Sequence, residues 1–331
     1  FRDNPFYRGI RTVVTIHNLR FQGVWDIPAM KRFTGLPDRA FTPDRLEFHR
    51  DANMLKGGLV YADRITTVSG TYAWEIQQPS YGEGLDGLLR AKSGTLSGIL
   101  NGIDYDIYDP VTDRKLYANY DKNGVRQGKA ANKAALQREL ALPEDPEVMM
   151  VGMITRLTDQ KGLDLVERVM DWLLTSRIQL VIIGTGDKKY EDLFRRYEWE
   201  RKEKVSANIY FNDDRAHKLY AAADAMLMPS LFEPCGLTQL ISLRYGTVPI
   251  VRETGGLKDT VEPYNEYVQT GTGFSFANYN AEEMLDTIFY AERVFYDTRS
   301  CWDEMVRRGM EQDFSWRSSA QAYQSLYDQL G

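Results

Sequence analysis

The sequence contains little cysteine, which excludes a scaffold held together by disulfides. Only two cysteines, Cys235 and Cys301, occur among its 331 residues. Small secreted domains need several cysteine pairs, whereas two cysteines are too few for such a framework and suit a reducing compartment. We therefore expect a cytoplasmic protein.

Histidine and metal-binding motifs are equally scarce. The chain has three histidines, His17, His49 and His217, and it has no HExxH, CxxC or EF-hand pattern. Zinc and calcium sites need clusters of imidazole, thiolate or carboxylate ligands. The sequence therefore predicts neither a bound metal nor a resident cofactor.

Long hydrophobic runs and an excess of positive charge are also missing. No apolar stretch approaches the roughly 18 residues that a membrane-spanning helix needs, so we expect no membrane partner. Lys and Arg number 41 against 47 Asp and Glu, and the net charge is -6. Binding to a phosphate backbone needs the opposite sign, so nucleic acid is not an expected partner. The remaining class is a globular protein long enough for about two domains.

Short apolar runs alternate with longer amphipathic segments, which is the pattern of a parallel sheet with crossover helices. The first half contains three candidate strands, at residues 12–16, 64–68 and 95–100. The second half contains six, at residues 148–154, 179–184, 208–212, 225–229, 248–252 and 273–276. Helices are predicted over residues 130–140, 162–175 and 188–203 and throughout 282–330. This order predicts an α/β protein with a doubly wound sheet in its second half.

A change in composition divides the chain. Charged and small polar residues dominate between Asp109 and Pro146. We expect a first domain over residues 1–115, an interdomain connection over 116–145 and a second domain over 146–310. A C-terminal helix over 311–331 would then pack back on the first domain. Because the chain begins with Phe1 rather than Met, we expect it to be a fragment.

Two cations follow the predicted strand at 148–154, at the edge of the sheet where open α/β proteins bind ligands. Arg156 and Lys161 lie five residues apart, and Gly162 begins the next predicted helix. Guanidinium, ammonium and free N–H groups at a helix N-terminus all favour a diphosphate. A solvated surface pair explains these two residues equally well.

The sharpest feature is the run Phe232-Glu233-Pro234-Cys235-Gly236-Leu237-Thr238, which follows the predicted strand at 225–229. Pro234 keeps Glu233 out of helical geometry, and Gly236 allows the backbone to approach a ligand closely. Glu233 is thus a candidate functional carboxylate. The alternative is a helix N-terminal charge worth less than about 1 kcal/mol. For Cys235, a small filler is favoured over a nucleophile because no histidine is near it in the sequence.

Three other features at strand ends are weaker signals. The turn at residues 184–186 lacks the third glycine of a dinucleotide fingerprint because Lys189 occupies that place, so an NAD oxidoreductase is not favoured. The turn Thr254-Gly255-Gly256 fits either an approach to a phosphate or sugar or a simple left-handed loop. His17 fits either a ligand contact or a buried core histidine.

Six sequence blocks carry a resemblance to one enzyme family. They are Val14-Thr15-Ile16-His17-Asn18-Leu19, Tyr61-Ala62-Asp63, Leu100-Asn101-Gly102-Ile103-Asp104, Arg156-Leu157-Thr158-Asp159-Gln160-Lys161-Gly162, Phe232-Glu233-Pro234-Cys235-Gly236-Leu237 and Thr254-Gly255-Gly256-Leu257. In this order they resemble bacterial glycogen synthases and plant starch synthases. The resemblance implies the GT-B architecture, in which two Rossmann-like doubly wound domains face a cleft, here with an incomplete N-terminal domain. It also implies transfer of glucose from ADP-glucose to the non-reducing end of an α-1,4-glucan, with retention of configuration.

The resemblance also implies roles for individual residues. Arg156 and Lys161 would hold the diphosphate and offset the charge on the ADP leaving group, without any metal. Glu233 would stabilise the transition state, and His17 and Asn101 would bind glucose hydroxyls from the opposite domain. Further contacts to sugar, phosphate or adenine would come from Cys235, Gly236, Leu237, Thr238, Thr254, Gly255, Gly256 and, at the end of the predicted strand 208–212, Phe211.

Two departures from the family pattern keep alternatives open. The family's Lys-x-Gly-Gly-Leu loop, which reaches donor and acceptor, does not occur in this sequence. Ile241 stands where many retaining GT-B enzymes have a second Glu, so the ribose contact is unassigned. The alternatives are another retaining GT-B nucleotide-sugar glycosyltransferase and a catalytically incomplete fragment that binds nucleotide or glucan.

Overall fold

The computed structural model describes residues 5–330, which fall into two units. One unit comprises the described residues up to Leu100 and from Ser319 onward, and the other comprises Asn101–Ser318. By this division, residues 101–145 belong to the second unit. Within residues 5–330, every helix is too short or too polar to cross a membrane.

The first unit contains two small sheets. Its strands are β1 (Val13–Ile16), β2 (Val24–Asp26), β3 (Glu47–Phe48), β4 (Asp51–Asn53), β5 (Arg64–Thr67) and β6 (Leu96–Gly98), and its helices are α1 (Ile27–Thr34), α2 (Met54–Tyr61), α3 (Gly70–Glu75) and α4 (Asp86–Ala91). A parallel sheet has the order β1-β5-β6, and an antiparallel sheet has the order β2-β4-β3. The three strands predicted for the first half are therefore confirmed.

The segment that follows β1 is fixed by the core of this unit. Ile16, Leu19 and Ile65 are fully buried. The Leu19 N–H donates a 3.0 Å hydrogen bond to the Tyr72 hydroxyl oxygen, and burial raises the pKa of Tyr72 to about 12. The burial of Ile16 and the hydrogen bond of Leu19 fix the chain on either side of His17, at the carboxyl end of β1.

The second unit is a doubly wound domain. Its elements are α5 (Val125–Glu139), β7 (Met149–Ile154), α6 (Leu163–Leu173), β8 (Ile178–Ile183), α7 (Lys188–Glu200), β9 (Val205–Asn208), α8 (Asp213–Ala222), β10 (Ala225–Met228), α9 (Thr238–Arg244), β11 (Val248–Arg252), α10 (Gly255–Thr260), β12 (Phe274–Phe276), α11 (Ala281–Asp297) and α12 (Arg299–Met310), and α13 (Trp316–Asp328) follows. The six strands form one parallel sheet in the order β12-β11-β10-β7-β8-β9. Strand β8 is buried along its whole length, as expected for a parallel sheet covered on both faces.

Two predicted elements are wrong in detail. The third strand predicted for the second half, at 208–212, is instead β9, which ends at Asn208, because the apolar run at 209–211 leaves the sheet and Asn212 caps α8 by accepting from the Arg215 N–H. The predicted continuous helix over 282–330 is broken after Asp297 and again after Met310.

Helix α5 explains why residues 109–146 look solvated in the sequence. Its buried face is polar and carries Lys129 and Lys133. The Lys129 ammonium donates to the carbonyls of Tyr220, at 3.3 Å, and Ala221, at 3.1 Å, in the last turn of α8. The Lys133 ammonium lies 2.6 Å from the Asp224 carboxylate. Lys129 thus satisfies carbonyl groups at the end of α8, and Lys133 forms an ion pair inside the domain.

Candidate active site

The sheet of the second unit has one reversal of strand order, and a cavity lies there. From β7 the chain runs outward through β8 and β9, whereas from β10 it runs outward in the opposite direction through β11 and β12. Open α/β sheets bind ligands at the carboxyl ends of the strands where this reversal occurs. A cavity of about 80 Å³ lies at the ends of β7 and β10. Its lining includes Ile154, Thr155, Lys161, Pro229, Ser230, Glu233, Gly236, Leu237 and Thr238.

An ion pair occupies this cavity. The Lys161 Nζ lies 2.6 Å from Glu233 Oε2, and the same oxygen accepts a 3.0 Å hydrogen bond from the Ser230 hydroxyl. Glu233 is only 7% exposed. A carboxylate with so little water around it is costly to bury without such partners. The structure thus brings two of the predicted site residues into direct contact.

A single glycine brings Lys161 to β10. Gly162 has φ of 72°, and a Cβ there would lie 2.0 Å from the Pro229 carbonyl oxygen. Any other residue would push the loop away from the end of β10. Helix α6 begins directly after this glycine, so its N-terminus lies beside the ion pair.

The glycines of the 254–256 turn support the Glu233 loop. A Cβ on Gly255 would lie 1.9 Å from the Glu233 carbonyl oxygen, and one on Gly256 would lie 1.9 Å from the Cys235 carbonyl oxygen. The Gly256 N–H donates to the Glu233 carbonyl at 3.0 Å. Backbone packing against the Glu233 loop therefore requires both glycines. This requirement holds under either interpretation of the turn.

Arg252 is a site residue that sequence reasoning missed. Its Nε donates a 2.7 Å hydrogen bond to the Ser230 carbonyl, and its guanidinium also donates to the Leu231 carbonyl. The side chain is buried, and its guanidinium carbon lies 5.8 Å from the centroid of the Tyr279 ring. The available signal was a charged residue that ends an apolar strand at the ligand-binding edge.

The glycine turn at residues 184–186 supports the loop that carries Arg156. The Leu157 N–H donates to the Thr185 carbonyl at 2.9 Å. A Cβ on Gly184 would lie 1.8 Å from the Thr155 carbonyl oxygen, and one on Gly186 would lie 2.3 Å from that of Leu157. These glycines therefore serve the packing of two adjacent loops. The Arg156 side chain is exposed at this edge, with a weak 3.4 Å contact from its guanidinium to Gln160 Oε1.

The segment after Glu233 presents backbone donors. Within residues 5–330, the N–H groups of Gly236 and Leu237 donate to no protein acceptor, and α9 begins at Thr238. Burial raises the pKa of the Cys235 thiol to about 11, against the opposing effect of a hydrogen bond from the Asn101 backbone. Such a thiol is a poor nucleophile, in agreement with its interpretation as a filler. The same hydrogen bond places Asn101 beside this segment.

Three singled-out residues lie apart from the cavity lining. His17 follows β1 in the first unit and is exposed, so its interpretation as a buried core histidine is wrong. Phe211 is 87% exposed in the loop between β9 and α8, rather than at the end of a strand. Ile241 is buried within α9, where it contributes to the core.

Comparison with known proteins identifies the family. Residues 1–91 match the starch synthase catalytic domain, and residues 132–293 match the glycosyl transferases of group 1. The glycogen synthase of Lachnospira eligens is 61% identical over 330 residues, which cover all of this chain and 69% of that protein. The chain belongs to the glycogen synthase family.

Two further relatives agree with this assignment. The glycogen synthase of Lachnoclostridium phytofermentans is 55% identical over 330 residues and is covered to 69%. The solved catalytic domain of starch synthase IV from Arabidopsis thaliana, bound to ADP and acarbose, has a TM-score of 0.89 at 32% identity, over 99% of this chain and 69% of that one. The resemblance and the α/β fold of the GT-B glycosyltransferases, both expected from the sequence, are confirmed.

Proposed function

We propose that this glycogen synthase family member is a retaining glucosyltransferase that uses ADP-glucose as its donor and the non-reducing end of an α-1,4-glucan as its acceptor. The observation that carries the proposal is the contact between Lys161 and Glu233 at the reversal of strand order. The ADP bound to the Arabidopsis relative supports the choice of nucleotide. The two free thiols, Cys235 and Cys301, are in keeping with a cytoplasmic enzyme.

The diphosphate would bind to cations and backbone donors. Arg156 and Lys161 supply two positive charges. The N–H groups of Gly236 and Leu237 donate to no acceptor among residues 5–330 and are therefore available to the phosphate oxygens. When the bond between the anomeric carbon and the β-phosphate oxygen breaks, negative charge develops on ADP. Preorganised charges and dipoles at that position lower the barrier without reorganisation.

The sugar would bind beside Glu233. Its carboxylate would stabilise the positive charge that develops at the anomeric carbon while an acceptor hydroxyl replaces ADP on the same face of the ring. The hydroxyl would pass its proton to the departing phosphate oxygen of ADP. Binding of the diphosphate would draw Lys161 away from Glu233 and leave the carboxylate facing the sugar. We assign the hydroxyl and sugar contacts to His17, Asn101, Cys235, Thr238 and the turn Thr254-Gly255-Gly256, and the adenine contact to Phe211.

Transfer of labelled glucose to glycogen tests this function. We expect incorporation from ADP-glucose and little from UDP-glucose, together with calorimetric binding of ADP. The variants Arg156→Ala and Lys161→Ala should weaken ADP binding by at least about tenfold each, because each removes a charge from the diphosphate. Faster transfer from UDP-glucose would favour another retaining GT-B transferase. ADP binding without transfer from either donor would favour a nucleotide-binding fragment.

A further inference from the structure

A buried glutamine lies directly behind the segment that follows Glu233. Gln239 is the second residue of α9 and is fully buried. Its side-chain amide nitrogen donates to the carbonyls of Cys235, at 3.0 Å, and Gly236, at 2.9 Å. Gly236 lines the cavity that contains Lys161 and Glu233, whereas Gln239 does not. The glutamine therefore holds this segment from the side that faces away from the cavity.

The two carbonyls that Gln239 binds control the direction of two N–H groups. A peptide unit is planar and trans, so its C=O and N–H bonds point in opposite directions. The Cys235 carbonyl shares a peptide unit with the Gly236 N–H, and the Gly236 carbonyl shares one with the Leu237 N–H. Because both carbonyls are turned toward Gln239, both N–H groups are turned away from it. These are the two N–H groups that donate to no acceptor within residues 5–330.

The backbone at this point has the shape of an anion-binding nest. Gly236 has a left-handed φ of 69°, and Leu237 is right-handed, with φ of -108° and ψ of -28°. Successive residues of opposite hand direct their N–H groups toward one concave face, which suits a phosphate. Both residues line the cavity. The nest thus opens on the cavity, with Gln239 behind it.

Glycine at position 236 makes room for the glutamine. A Cβ on Gly236 would lie 2.3 Å from Gln239 Oε1, so the amide occupies the space that a larger residue would need. The same glycine leaves the segment free to turn, because glycine adopts many backbone conformations without a steric penalty. Among residues 5–330, no backbone N–H donates to the carbonyls of Cys235 or Gly236. Without Gln239, neither carbonyl would be held in its present direction.

The glutamine amide is fixed by a further contact to α10. Its nitrogen lies 3.1 Å from the Thr260 hydroxyl oxygen, which in turn donates to the Gly256 carbonyl at 2.6 Å. Thr260 is itself buried. Buried groups of the protein therefore set the direction of the amide before any ligand binds.

We infer that Gln239 is a positioning residue, which directs the N–H groups of Gly236 and Leu237 at the diphosphate of the donor. This inference rests on the proposed function, since it takes the diphosphate as the group bound beside Lys161. Loss of the amide would allow the two peptide units to rotate and to turn carbonyl oxygens toward the phosphates. Donors that are already aimed at the leaving group need no reorganisation when its charge develops. Both donor binding and turnover should therefore depend on Gln239.

Removal of the amide tests this role. Gln239→Met keeps an unbranched side chain of similar length but has no N–H donor, and we expect it to weaken ADP binding by about tenfold in calorimetry. KM for ADP-glucose should rise, whereas KM for glycogen should stay unchanged because these N–H groups face the donor.

Gln137→Met is the matched control for this variant. Gln137 is also fully buried on a helix of the second unit, α5, and its amide nitrogen donates to the Asp145 carbonyl at 3.0 Å. It lies outside the cavity lining. We therefore expect Gln137→Met to lower thermal stability without changing the affinity for ADP.

Gln239→Glu gives a second test that keeps the shape of the side chain. An ionised carboxylate has no hydrogen to donate and repels the two carbonyls, whereas a protonated carboxyl group donates one hydrogen bond. ADP affinity relative to the parent chain should therefore recover as the pH is lowered.

Two results would overturn the inference. One is parent-like ADP affinity in Gln239→Met together with a thermal destabilisation similar to that of Gln137→Met, which would make Gln239 purely structural. The other is parent-like ADP affinity of Gln239→Glu at every pH. A chain whose ADP affinity depends on Gln239, but which transfers no glucose from ADP-glucose or UDP-glucose, would contradict the proposed function alone.

Discussion

The loops that follow β10 and β9 leave the same edge of the same sheet, but they are built differently. The loop after β10 buries Glu233 and is held by Arg252, by Ser230 and by two glycines that allow backbone contact. The loop after β9 leaves Phe211 almost fully exposed.

The loop after β9 is held by contacts on either side of Phe211. Asn212 caps α8, and Asn208 Oδ1 accepts hydrogen bonds from the Tyr210 hydroxyl at 2.8 Å and the Arg215 guanidinium at 2.7 Å. The difference follows from what each loop would do. A charge that stabilises a transition state must be fixed before the reaction, whereas a ring that stacks on a base needs only an accessible face.

Removal of the Glu233 carboxylate should give the largest effect and tests the buried loop directly. We expect Glu233→Ala to lower kcat by about 10³-fold, as for other preorganised electrostatic groups. ADP affinity should hold or increase, because Lys161 loses the carboxylate that lies 2.6 Å from its ammonium and becomes free for the diphosphate. Stopped assays of transfer and calorimetry of ADP measure the two quantities. A fall in ADP affinity with unchanged kcat would remove Glu233 from the chemistry.

Arg252→Lys should give the next largest effect and tests whether support of the loop matters. Lysine cannot reproduce the fork that donates to the carbonyls of Ser230 and Leu231. We expect kcat to fall about 10- to 100-fold through displacement of Glu233, with ADP affinity unchanged. Arg308→Lys is the control, because Arg308 donates to the Gly271 carbonyl, away from the site. If both variants lose only thermal stability, Arg252 is structural and does not position Glu233.

Sequence reasoning identified the residues of the buried Glu233 loop, but it missed the side chain of Arg252 that holds this loop in place. The run around Glu233 and the pair Arg156 and Lys161 are local patterns at strand ends, and short buried strands such as β11 at Val248–Arg252 are continuous apolar runs that stand out in the sequence. The role of Arg252 depends on two carbonyls more than 20 residues away, which no local pattern reports. The apolar run at 209–211 imitated a strand because periodicity does not reveal that Asn212 caps a helix.

Phe211→Ala tests the exposed loop and should have a smaller effect. If the ring stacks on adenine, we expect ADP binding to weaken about fivefold, the equivalent of roughly 1 kcal/mol for one stacking ring, with kcat preserved at saturating donor. Phe33→Ala is a matched control, since Phe33 on α1 is 84% exposed. Unchanged ADP affinity in Phe211→Ala would leave adenine without a contact from this loop.

Loss of the Glu139 carboxylate, which anchors the exposed loop through Arg215, should give the smallest effect, and the size of this effect depends on pH. Burial would raise the pKa of Glu139, but hydrogen bonds from Lys218, Tyr117 and Arg215 overcome it and lower the pKa from 4.5 to about 2. A lowered pKa in the folded state means that the ionised carboxylate stabilises the fold above the unfolded pKa of 4.5, and that this contribution disappears as the pH falls toward 2.

We therefore expect Glu139→Gln to lower the free energy of unfolding by about 1 kcal/mol at neutral pH, a value reduced for solvent screening of a partly exposed group. The difference from the parent chain should shrink in urea titrations below pH 4.5. Glu203→Gln, which alters an exposed carboxylate without an ion pair among residues 5–330, should show no such trend. A destabilisation of Glu139→Gln that stays constant with pH would mean that shape rather than charge anchors Arg215, and with it the loop that carries Phe211.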